Sequence, residues 1–294
     1  MKIVVNGNES IRLDKYLAGN TDYSRELISK MINDGFVLVN DEVKKNSYKV
    51  KFNDEIDIDE SYKIDTDMIP CQMDLNIVYE DDYLMIINKP SGLVVHPGSG
   101  NYTNTLVNGL MYYTQNLSDL NGKARVGIVH RIDKDTSGLM LVAKTNEVHQ
   151  ILADYFKNHE VKRTYVALLC GEFPYESATI DAPIKRDATT FNKMGVFKDG
   201  KNAITHLKVI KRYQGYTLVE LNLETGRTHQ IRVHMNYIGF PIFNDPVYNQ
   251  KPASGFGQFL HSKSIDFLHP ITKEKIHFEC DLPKEFQEYL DSLS

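Results

Sequence analysis

From residue 75 onward, short runs of apolar or alternating residues, separated by turns, dominate the sequence. Strands are predicted over residues 84–88, 139–143, 165–169 and 218–223. The clearest helix is predicted over residues 146–159, because its apolar side chains recur on one face. Helices interrupt the strands irregularly and do not alternate with them. The pattern therefore favours an α+β fold over a doubly wound parallel sheet.

The first 60 residues have a different texture, with two amphipathic segments followed by small strands. The first segment begins at residues 11–17, and the second reads SRELISKMINDG. Ser24 is predicted to cap the second helix and Gly35 to end it, and an Asn40-Asp41 pair marks a turn between strands. So small a core is typical of a domain that docks onto or binds something else.

The chain is accordingly divided into an N-terminal domain (1–60), a linker (61–73) and a larger domain (74–294). The linker is placed at SYKIDTDMIPCQM because that stretch shows no periodicity. No run approaches the roughly 18 apolar residues of a membrane span, and the N-terminus lacks the apolar core of a signal peptide. We therefore expect no membrane partner.

The three cysteines are Cys71, Cys170 and Cys280, and none belongs to a CxxC pair. Their odd number and wide spacing fit neither a disulfide framework nor a zinc site, which indicates a cytoplasmic location. The sequence contains no phosphate-binding G-x-x-x-x-G-K-[ST] loop, no G-x-G-x-x-G after a strand and no G-x-S-x-G elbow. ATP, dinucleotide and serine-nucleophile chemistry are therefore unsupported.

A polar stretch with the sequence HRIDKDTS lies between two apolar segments and ends at Gly138. A polar loop between buried strands is where a rigid scaffold commonly presents functional side chains. The same residues would also make an ordinary turn, in which Asp, Thr and Ser side chains bond backbone N–H groups. Loop chemistry alone leaves both interpretations open.

A second polar stretch reads ETGRTHQIRVHMNYIG. A short helix is predicted here, capped by Thr228 and ended by Gly239. Arg227 and His229 would then lie at its N-terminus, a natural anion site, although a solvated ion pair is the alternative for any single arginine. Metal binding by His229 and His234 is disfavoured, because a spacing of five residues puts them on different helix faces.

Five segments, in this order, carry a resemblance to a known family: INKPSGLVVHPG, HRIDKDTSG with LMLVAKT, KRTYVALLCGEF, TGRTHQIRVHMNYIG and FLHSKSIDFLHP. Together they resemble the RluA/RluD-type pseudouridine synthases, whose signature is usually written H-R-L-D-x-x-T-S-G. Ile132 replaces the usual leucine. The resemblance extends from residue 75 to about residue 281. It implies a mixed, mainly antiparallel sheet with flanking helices and a central RNA cleft.

The N-terminal domain is similar to an S4 RNA-binding domain, from IRLDKYL through SRELISKMINDGFVLVN to FNDEIDI. An S4 domain before this catalytic domain is the arrangement of the RluD-like branch, which acts on large-subunit ribosomal RNA. The resemblance thus implies ribosomal RNA as partner, with transfer RNA as the alternative, and we expect a monomer. The predicted RNA contacts of this domain are Arg12, Lys15, Arg25 and Lys30.

The family's reaction breaks the C1′–N1 bond of a uridine and joins C1′ to C5, without ATP, a redox cofactor or a metal. By resemblance Asp133 is the catalytic aspartate, with Asp135 as a local competitor that spacing alone does not exclude. Arg232 is implied as its partner, favouring the charged carboxylate. Tyr165 is implied to stack on the target base and to assist proton transfer. The family leaves open whether the carboxylate attacks the base, attacks C1′ or removes a sugar proton.

Further RNA contacts are predicted in the same domain. His130 and Arg131 are candidates to fill or brace the position that a flipped nucleotide leaves, and Arg227 is a candidate for a phosphate contact. Two other functions are alternatives: a non-catalytic ribosome assembly factor, and a glycosidase using Asp133 and Asp135. The intact motifs argue against the first, and the absence of tryptophan for sugar platforms argues against the second.

The charge balance constrains how RNA could bind. The net charge is −5, and residues 1–60 alone carry 9 basic against 12 acidic residues. Nonspecific phosphate binding favours a basic surface, so the resemblance requires positive charge to be segregated by face. We expect Arg131, Arg163, Arg227 and Arg232 to gather in the catalytic cleft.

Overall fold

The computed structural model describes residues 1–7, 10–21, 23, 25–61, 69–98, 103–190, 193–249 and 255–293. The chain divides into two compact units, Met1–Asp67 and Met68–Ser294, which are described separately. This division falls inside the stretch predicted as a linker. Residues 62–68 of that stretch lie outside the described part of the chain.

Two helices and four short strands make up the N-terminal unit. In chain order they are β1 (Lys2–Val4), α1 (Leu13–Asn20), α2 (Arg25–Asn33), β2 (Val37–Val39), β3 (Glu42–Val43) and β4 (Glu55–Ile58). The sheet is antiparallel in the order β1-β4-β2-β3. Leu13 and Leu17 of α1 and Ile28 and Ile32 of α2 are buried together, as their helical spacing predicts.

The turn predicted between strands is confirmed. Asn40 and Asp41 have φ values of 51° and 62° and join β2 to β3. A two-residue turn with both residues in the left-handed region matches the twist of a hairpin, and asparagine and aspartate tolerate that region well. The predicted helix cap Ser24 lies outside the described residues.

A large mixed sheet organises the second unit. Its elements are β5 (Ile77–Glu80), β6 (Leu84–Lys89), α3 (Leu106–Tyr113), a 3-10 turn (Lys123–Arg125), β7 (Ser137–Ala143), α4 (Asn146–Lys157), β8 (Lys162–Cys170), β9 (Ser177–Asp181), β10 (Ile184–Arg186), β11 (Met194–Val196), β12 (Ile204–Tyr213), β13 (Tyr216–Leu223), α5 (Gln230–Tyr237), β14 (Leu260–Leu268), β15 (Lys275–Glu279) and α6 (Lys284–Ser292). Among the described residues, nine strands form one sheet in the order β5-β6-β7-β14-β8-β13-β12-β9, with β15 on β14. Strands β10 and β11 form a separate hairpin.

The α+β class with a mixed, mainly antiparallel sheet is confirmed. Strands β7 and β14 pair in parallel, and the other pairings between described strands are antiparallel. The sheet carries a buried core on each face, one built around Met85, Met140 and Leu221, the other around Leu84, Leu141 and Ile265. No helix in the described ranges combines the length and apolar character needed to cross a membrane.

The parallel pairing of β7 with β14 fixes where the polar loop of residues 130–136 joins the sheet. At Gly138, a Cβ atom would lie 2.3 Å from the carbonyl oxygen of Ser262, and the backbone φ is 109°. Only glycine permits this approach and this conformation. The loop therefore enters β7 at a point where two central strands are in direct backbone contact.

Helix α5 begins later than the sequence pattern predicts. Its N-cap is His229 and not Thr228, and His229 lies in the left-handed region with a φ of 57°. Ile231 and Met235, four residues apart in α5, are both buried. Gly239, with a φ of 85°, ends the helix as predicted. The shift places His229 at the junction between the preceding loop and the helix.

Candidate functional site

Asp133 and Arg232 meet in the larger unit although they are 99 residues apart in the chain. Nη1 of Arg232 donates to Oδ2 of Asp133 at 2.9 Å. The Arg232 side chain is only 4% exposed, whereas that of Asp133 is 20% exposed. The sheet thus presents a partly accessible carboxylate against a buried guanidinium.

Asp245 holds the other side of the Arg232 guanidinium. Nε of Arg232 donates to one carboxylate oxygen at 2.7 Å and Nη2 to the other at 2.9 Å. The Asp245 side chain is fully buried and also accepts the backbone N–H groups of Val247 and Tyr248. This two-point contact fixes the plane of the guanidinium and hence the direction in which it meets Asp133.

The contacts among Asp133, Arg232 and Asp245 keep the two buried groups, Arg232 and Asp245, ionised. Burial lowers the pKa of Arg232, but the hydrogen bonds to Asp245 and the charges of both carboxylates outweigh burial and raise it. Burial raises the pKa of Asp245, but its contact with Arg232 outweighs burial and lowers it. The buried Arg232–Asp245 pair is thus a fixed support behind Asp133.

Lys89, the last residue of β6, anchors the loop that carries Asp133. Its side chain is buried, and Nζ donates to the backbone carbonyls of Pro90, Leu93 and Lys134 at 2.8–2.9 Å. Three carbonyls match the three N–H bonds of an ammonium group. Burial nevertheless lowers the pKa of Lys89 to about 7, opposed by the charges of Asp135 and Asp133.

Asp135, the competitor of Asp133, lies in a different environment. Its backbone carbonyl accepts the hydroxyl of Ser91. Its carboxylate forms no ion pair or hydrogen bond with any residue that the structure describes. The geometry therefore distinguishes two acids that spacing alone did not.

The cavity beside Asp133 contains most of the other predicted residues. It is lined by Arg131, Arg163, Tyr165, Arg227, His229 and Arg232. Tyr165 is 4% exposed, and its hydroxyl forms no hydrogen bond with a described residue. Cζ of Arg163 lies 5.2 Å from the centre of the Phe156 ring. Four arginines thus gather around one acid, as the charge argument predicts.

Arg131 and Arg227 lie at the exposed rim of this cavity. Nη1 of Arg131 is 3.1 Å from Nε2 of His96. Nε of Arg227 donates to the carbonyl of Asn202 at 2.9 Å, and its backbone N–H donates to Gln230. Both guanidinium groups keep further N–H bonds directed away from these contacts, because each has five donors.

His130, which the sequence predicts as an RNA contact, is placed differently. Its Nε2 accepts the backbone N–H of Leu141 at 2.9 Å, and its ring packs 4.4 Å from that of Phe156. Burial lowers its pKa well below the usual value, so the ring is neutral. Since it faces the interior and does not line the cavity, we assign it a packing role.

His229 and His234, the two histidines for which the sequence disfavours shared metal binding, have different surroundings. His234 is buried, with Nδ1 on Thr205 and Nε2 on the carbonyl of Ala182. His229 lies at the cavity, with Nδ1 3.0 Å from the hydroxyl of Tyr248. Within the described ranges, no group of three His, Cys, Asp or Glu side chains is arranged to hold a metal ion.

The N-terminal unit has a charged cluster of its own. Arg12 and Arg25 both bond the carboxylate of Asp14, at 3.0 and 2.7 Å, and their side chains are 49% and 54% exposed. Burial raises the pKa of Asp14, but the two arginines outweigh it and lower it. Lys15 is exposed, and Lys30 is partly buried on α2. The buried acid thus holds two predicted RNA contacts on one face.

Asp245, Tyr248 and His229 complete the site. The sequence pattern predicts His229 at a helix N-terminus beside Arg227, but it does not indicate Asp245 or Tyr248. Asp245 and Tyr248 follow α5 in an unremarkable NDPVYN segment, and no periodicity or motif chemistry marks them. The one available signal was a polar Asn-Asp-Pro turn directly after an apolar pair.

Comparisons with known proteins agree with this geometry. Residues 83–237 match the family described as RNA pseudouridylate synthase, and residues 11–56 match the S4 domain. An uncharacterized RNA pseudouridine synthase of Bacillus subtilis, YlyB, is 46% identical over 97% of this chain and 95% of its own length. The ribosomal large subunit pseudouridine synthase D of Zymomonas mobilis is 40% identical over 94% of this chain and 92% of its own length.

A solved structure shares the fold of most of this chain. Human RNA pseudouridylate synthase domain containing 1 superposes with a TM-score of 0.59 and 24% identity. The match covers 75% of this chain and 94% of the human one.

Proposed function

The chain belongs to the RNA pseudouridylate synthase family and is an RNA pseudouridine synthase with an N-terminal S4 domain, and from this premise we propose that it isomerises specific uridines of large-subunit ribosomal RNA through Asp133. The observation that carries the proposal is the Asp133–Arg232–Asp245 chain at the wall of an arginine-lined cavity. Two relatives, 40% and 37% identical to this chain, are named ribosomal large subunit pseudouridine synthase D. Their names support ribosomal RNA as the substrate. The protein acts as a monomer in the cytoplasm, alongside its ribosomal substrate.

The reaction assigns a task to each side chain. The C1′–N1 bond of the uridine breaks, the base turns, C1′ bonds to C5, the C5 hydrogen leaves as a proton and N1 gains one. Attack by the carboxylate and removal of a sugar proton both need an ionised acid beside the sugar, and Asp133 supplies it. Arg232 fixes its direction and balances its charge. Because the product is an isomer, the reaction consumes no oxidant, nucleotide or metal.

The remaining cavity residues hold the RNA. Tyr165 stacks on the base that enters the cavity, an interaction worth about 1–3 kcal/mol. Arg131 braces the duplex position that the flipped nucleotide leaves, and Arg227 binds a neighbouring phosphate. Arg12, Lys15, Arg25 and Lys30 of the S4 domain bind RNA phosphates.

The test of the proposal compares two neighbouring acids. Asp133→Asn should reduce the rate of tritium release from C5-tritiated uridine in ribosomal RNA transcripts at least about 1000-fold, since the reacting group is lost. Asp135→Asn, two residues away and without an ion pair to a described residue, is the matched control and should retain most of the rate. Unchanged release by the Asp133 variant would refute the assignment. No release by the wild-type protein would favour an assembly factor without catalysis.

The substrate is tested in cells. Pseudouridines should be mapped by carbodiimide treatment and primer extension in a strain that lacks the protein. Sites should be missing from large-subunit ribosomal RNA and should return when wild-type protein, but not Asp133→Asn, is supplied. Loss confined to transfer RNA would overturn the proposed substrate.

A further inference from the structure

His229 and Asp133 face each other across a narrow gap in the cavity wall. Nε2 of His229 lies 3.9 Å from Oδ1 of Asp133, the carboxylate oxygen that does not bind Arg232. The two side chains are 18% and 20% exposed, so a ligand can reach both. A direct hydrogen bond needs about 2.7–3.2 Å. The gap is therefore too wide for a bond but accommodates one oxygen atom within about 2.8 Å of each group.

Tyr248 determines which ring nitrogen of His229 carries the proton. Its hydroxyl oxygen accepts the backbone N–H of Met194 at 3.0 Å and lies 3.0 Å from Nδ1 of His229. When the hydroxyl donates to Nδ1, the neutral ring carries its hydrogen on Nε2, which faces Asp133. The carbonyl of Met194, at 3.2 Å, is the competing acceptor for the same hydroxyl hydrogen.

The charge of Asp133 favours the first arrangement. If the hydroxyl bonded Met194 instead, Nδ1 would carry the hydrogen and the lone pair of Nε2 would face a carboxylate oxygen. Burial raises the pKa of Tyr248 to about 12, which keeps its hydroxyl protonated. Burial also lowers the pKa of His229, against the charge of Asp133, so the ring is neutral at pH 7. The result is an N–H donor and a carboxylate acceptor aimed at one point.

The backbone of His229, whose Nε2 faces Asp133, is held in an uncommon conformation. With a φ of 57° it lies in the left-handed region, while its carbonyl accepts the N–H of Val233 at 2.9 Å. Residues in this region occur where surrounding contacts impose it, often at ligand-binding positions. Here the contacts are the first turn of α5 and the hydroxyl of Tyr248.

We infer that His229 and Asp133 together recognise the ribose 2′-hydroxyl of the target uridine. Nε2–H of His229 donates to the 2′-oxygen, and the hydroxyl donates its hydrogen to Oδ1 of Asp133. The inference rests on the proposed function, because a carboxylate acting at C1′ has the 2′-hydroxyl on the adjacent carbon. A hydroxyl is both donor and acceptor, so it satisfies both groups, whereas a deoxyribose leaves them unpaired. His229 is thereby a specificity residue for RNA over DNA.

The test uses the full chain labelled with 15N at histidine, titrated with uridine 5′-phosphate and with 2′-deoxyuridine 5′-phosphate. Long-range 1H–15N spectra report the tautomer of each ring. In the wild-type protein His229 should carry its hydrogen on Nε2. Uridine 5′-phosphate should shift this resonance and bind about tenfold or more tightly than the deoxynucleotide.

Two variants separate recognition from structure. His229→Asn removes the donor while keeping a residue type that tolerates a positive φ, and should bind the two nucleotides equally. His229→Gln places an N–H near the position of Nε2 and should keep the preference for ribose. Unchanged signals of the other histidines show that each variant is folded.

The outcomes are distinct from those of the isomerase assay. An Nδ1–H tautomer in the wild-type protein, an unshifted His229 signal with uridine 5′-phosphate, or a full ribose preference in His229→Asn would each overturn the inference, even in an active enzyme. Loss of the preference in His229→Asn supports it, even if the mapped uridines prove to lie in another RNA.

Discussion

At the scale of single residues, the site depends on a carboxylate, that of Asp245, which is fully buried behind Arg232. Asp245 binds Arg232 through both oxygens and is itself fixed by two backbone N–H groups. Arg232 in turn contacts Asp133 through a different nitrogen, Nη1. Since a planar guanidinium is rigid, its orientation at Asp245 determines its orientation at Asp133. Asp245 is therefore a positioning residue.

Replacing Asp245 should lower turnover more than binding. In Asp245→Asn the amide group presents N–H bonds toward Arg232, and the guanidinium loses one of its two anchors. We expect kcat to fall on the order of 10- to 100-fold with little change in KM, and stability to fall by about 1–3 kcal/mol. Steady-state kinetics on a ribosomal RNA fragment and urea unfolding measure the two effects.

Asp81→Asn is the matched control. Asp81 accepts the hydroxyl of Tyr79 and Nε2 of His269 in the same unit, and it does not line the cavity beside Asp133. This variant should lose stability but keep its kcat. Equal kinetic losses in both variants would mean that Asp245 acts through general stability and not through Arg232.

At the scale of elements, the loop before β7 is fastened at both sides. Lys89 at the end of β6 bonds the carbonyl of Lys134, and Gly92 N–H bonds the same carbonyl. Gly138 then locks the start of β7 against β14. A loop held this way keeps its side chains in place without a large core of its own, which is what precise catalysis requires.

Replacing Lys89 should loosen this loop and change the pH dependence of stability. Lys89→Met leaves three carbonyls without their donor, for which we expect a loss of about 2–4 kcal/mol and a lower kcat. Burial lowers the pKa of Lys89 to about 7 in the folded protein, below its unfolded value of about 10.4. Between these values the unfolded chain holds a proton that the folded protein releases, so the contribution of Lys89 to stability rises with pH.

Urea unfolding at pH 7, 8.5 and 10 measures this effect. The difference in unfolding free energy between the wild-type protein and Lys89→Met should grow over this range. Lys134→Met, which removes an exposed side chain of the same loop, is the control and should show a constant difference. A constant difference for Lys89→Met as well would contradict the lowered pKa.

At the scale of the whole molecule, the distribution of charge matters more than its sum. The chain carries a net charge of −5, yet four arginines gather around Asp133 and two more converge on Asp14. In the N-terminal unit the carboxylate of Asp54 is buried. It accepts hydrogen bonds from the side chains of Asn40 and Tyr48 and from the backbone N–H of Lys51, so this acid is not exposed on the surface. Acidic composition is thus compatible with an RNA-binding face.

Removing single cations from that face should weaken RNA binding in a salt-dependent way. Lys15→Ala and Arg25→Ala should each lower the affinity for a ribosomal RNA fragment about 3- to 10-fold. Each should also reduce the slope of log affinity against log salt by about 1. Lys44→Ala, which removes a cation paired with Glu42 beside β3, should change neither. Fluorescence anisotropy at several salt concentrations measures both quantities, and identical effects of all three variants would argue against a specific binding face.

Much of this architecture was predictable, because it depends on neighbours in the chain. The periodicity of residues 146–159 predicted α4, and the Asn40-Asp41 pair predicted its hairpin. The resemblance of the first 60 residues to an S4 domain, and of five ordered segments to the pseudouridine synthases, implied the two families that the comparisons confirm. Local spacing and residue type were sufficient for the helix and the hairpin, and the family came from the resemblance.

The pairing of side chains was decided by the tertiary structure alone. Spacing could not choose between Asp133 and Asp135, and nothing in the sequence joined Asp245 or Tyr248 to the site. His229 was predicted only as a neighbour of Arg227 at a helix N-terminus, and not as a neighbour of Asp133. His130, from the same motif as Asp133, turned inward to Leu141 and Phe156. A contact between residues 99 positions apart depends on strand order and on which face each loop presents. Sequence determined which chemical groups this protein has, and folding decided which of them touch, because hydrogen bonds and ion pairs form over about 3 Å in space and not along the chain.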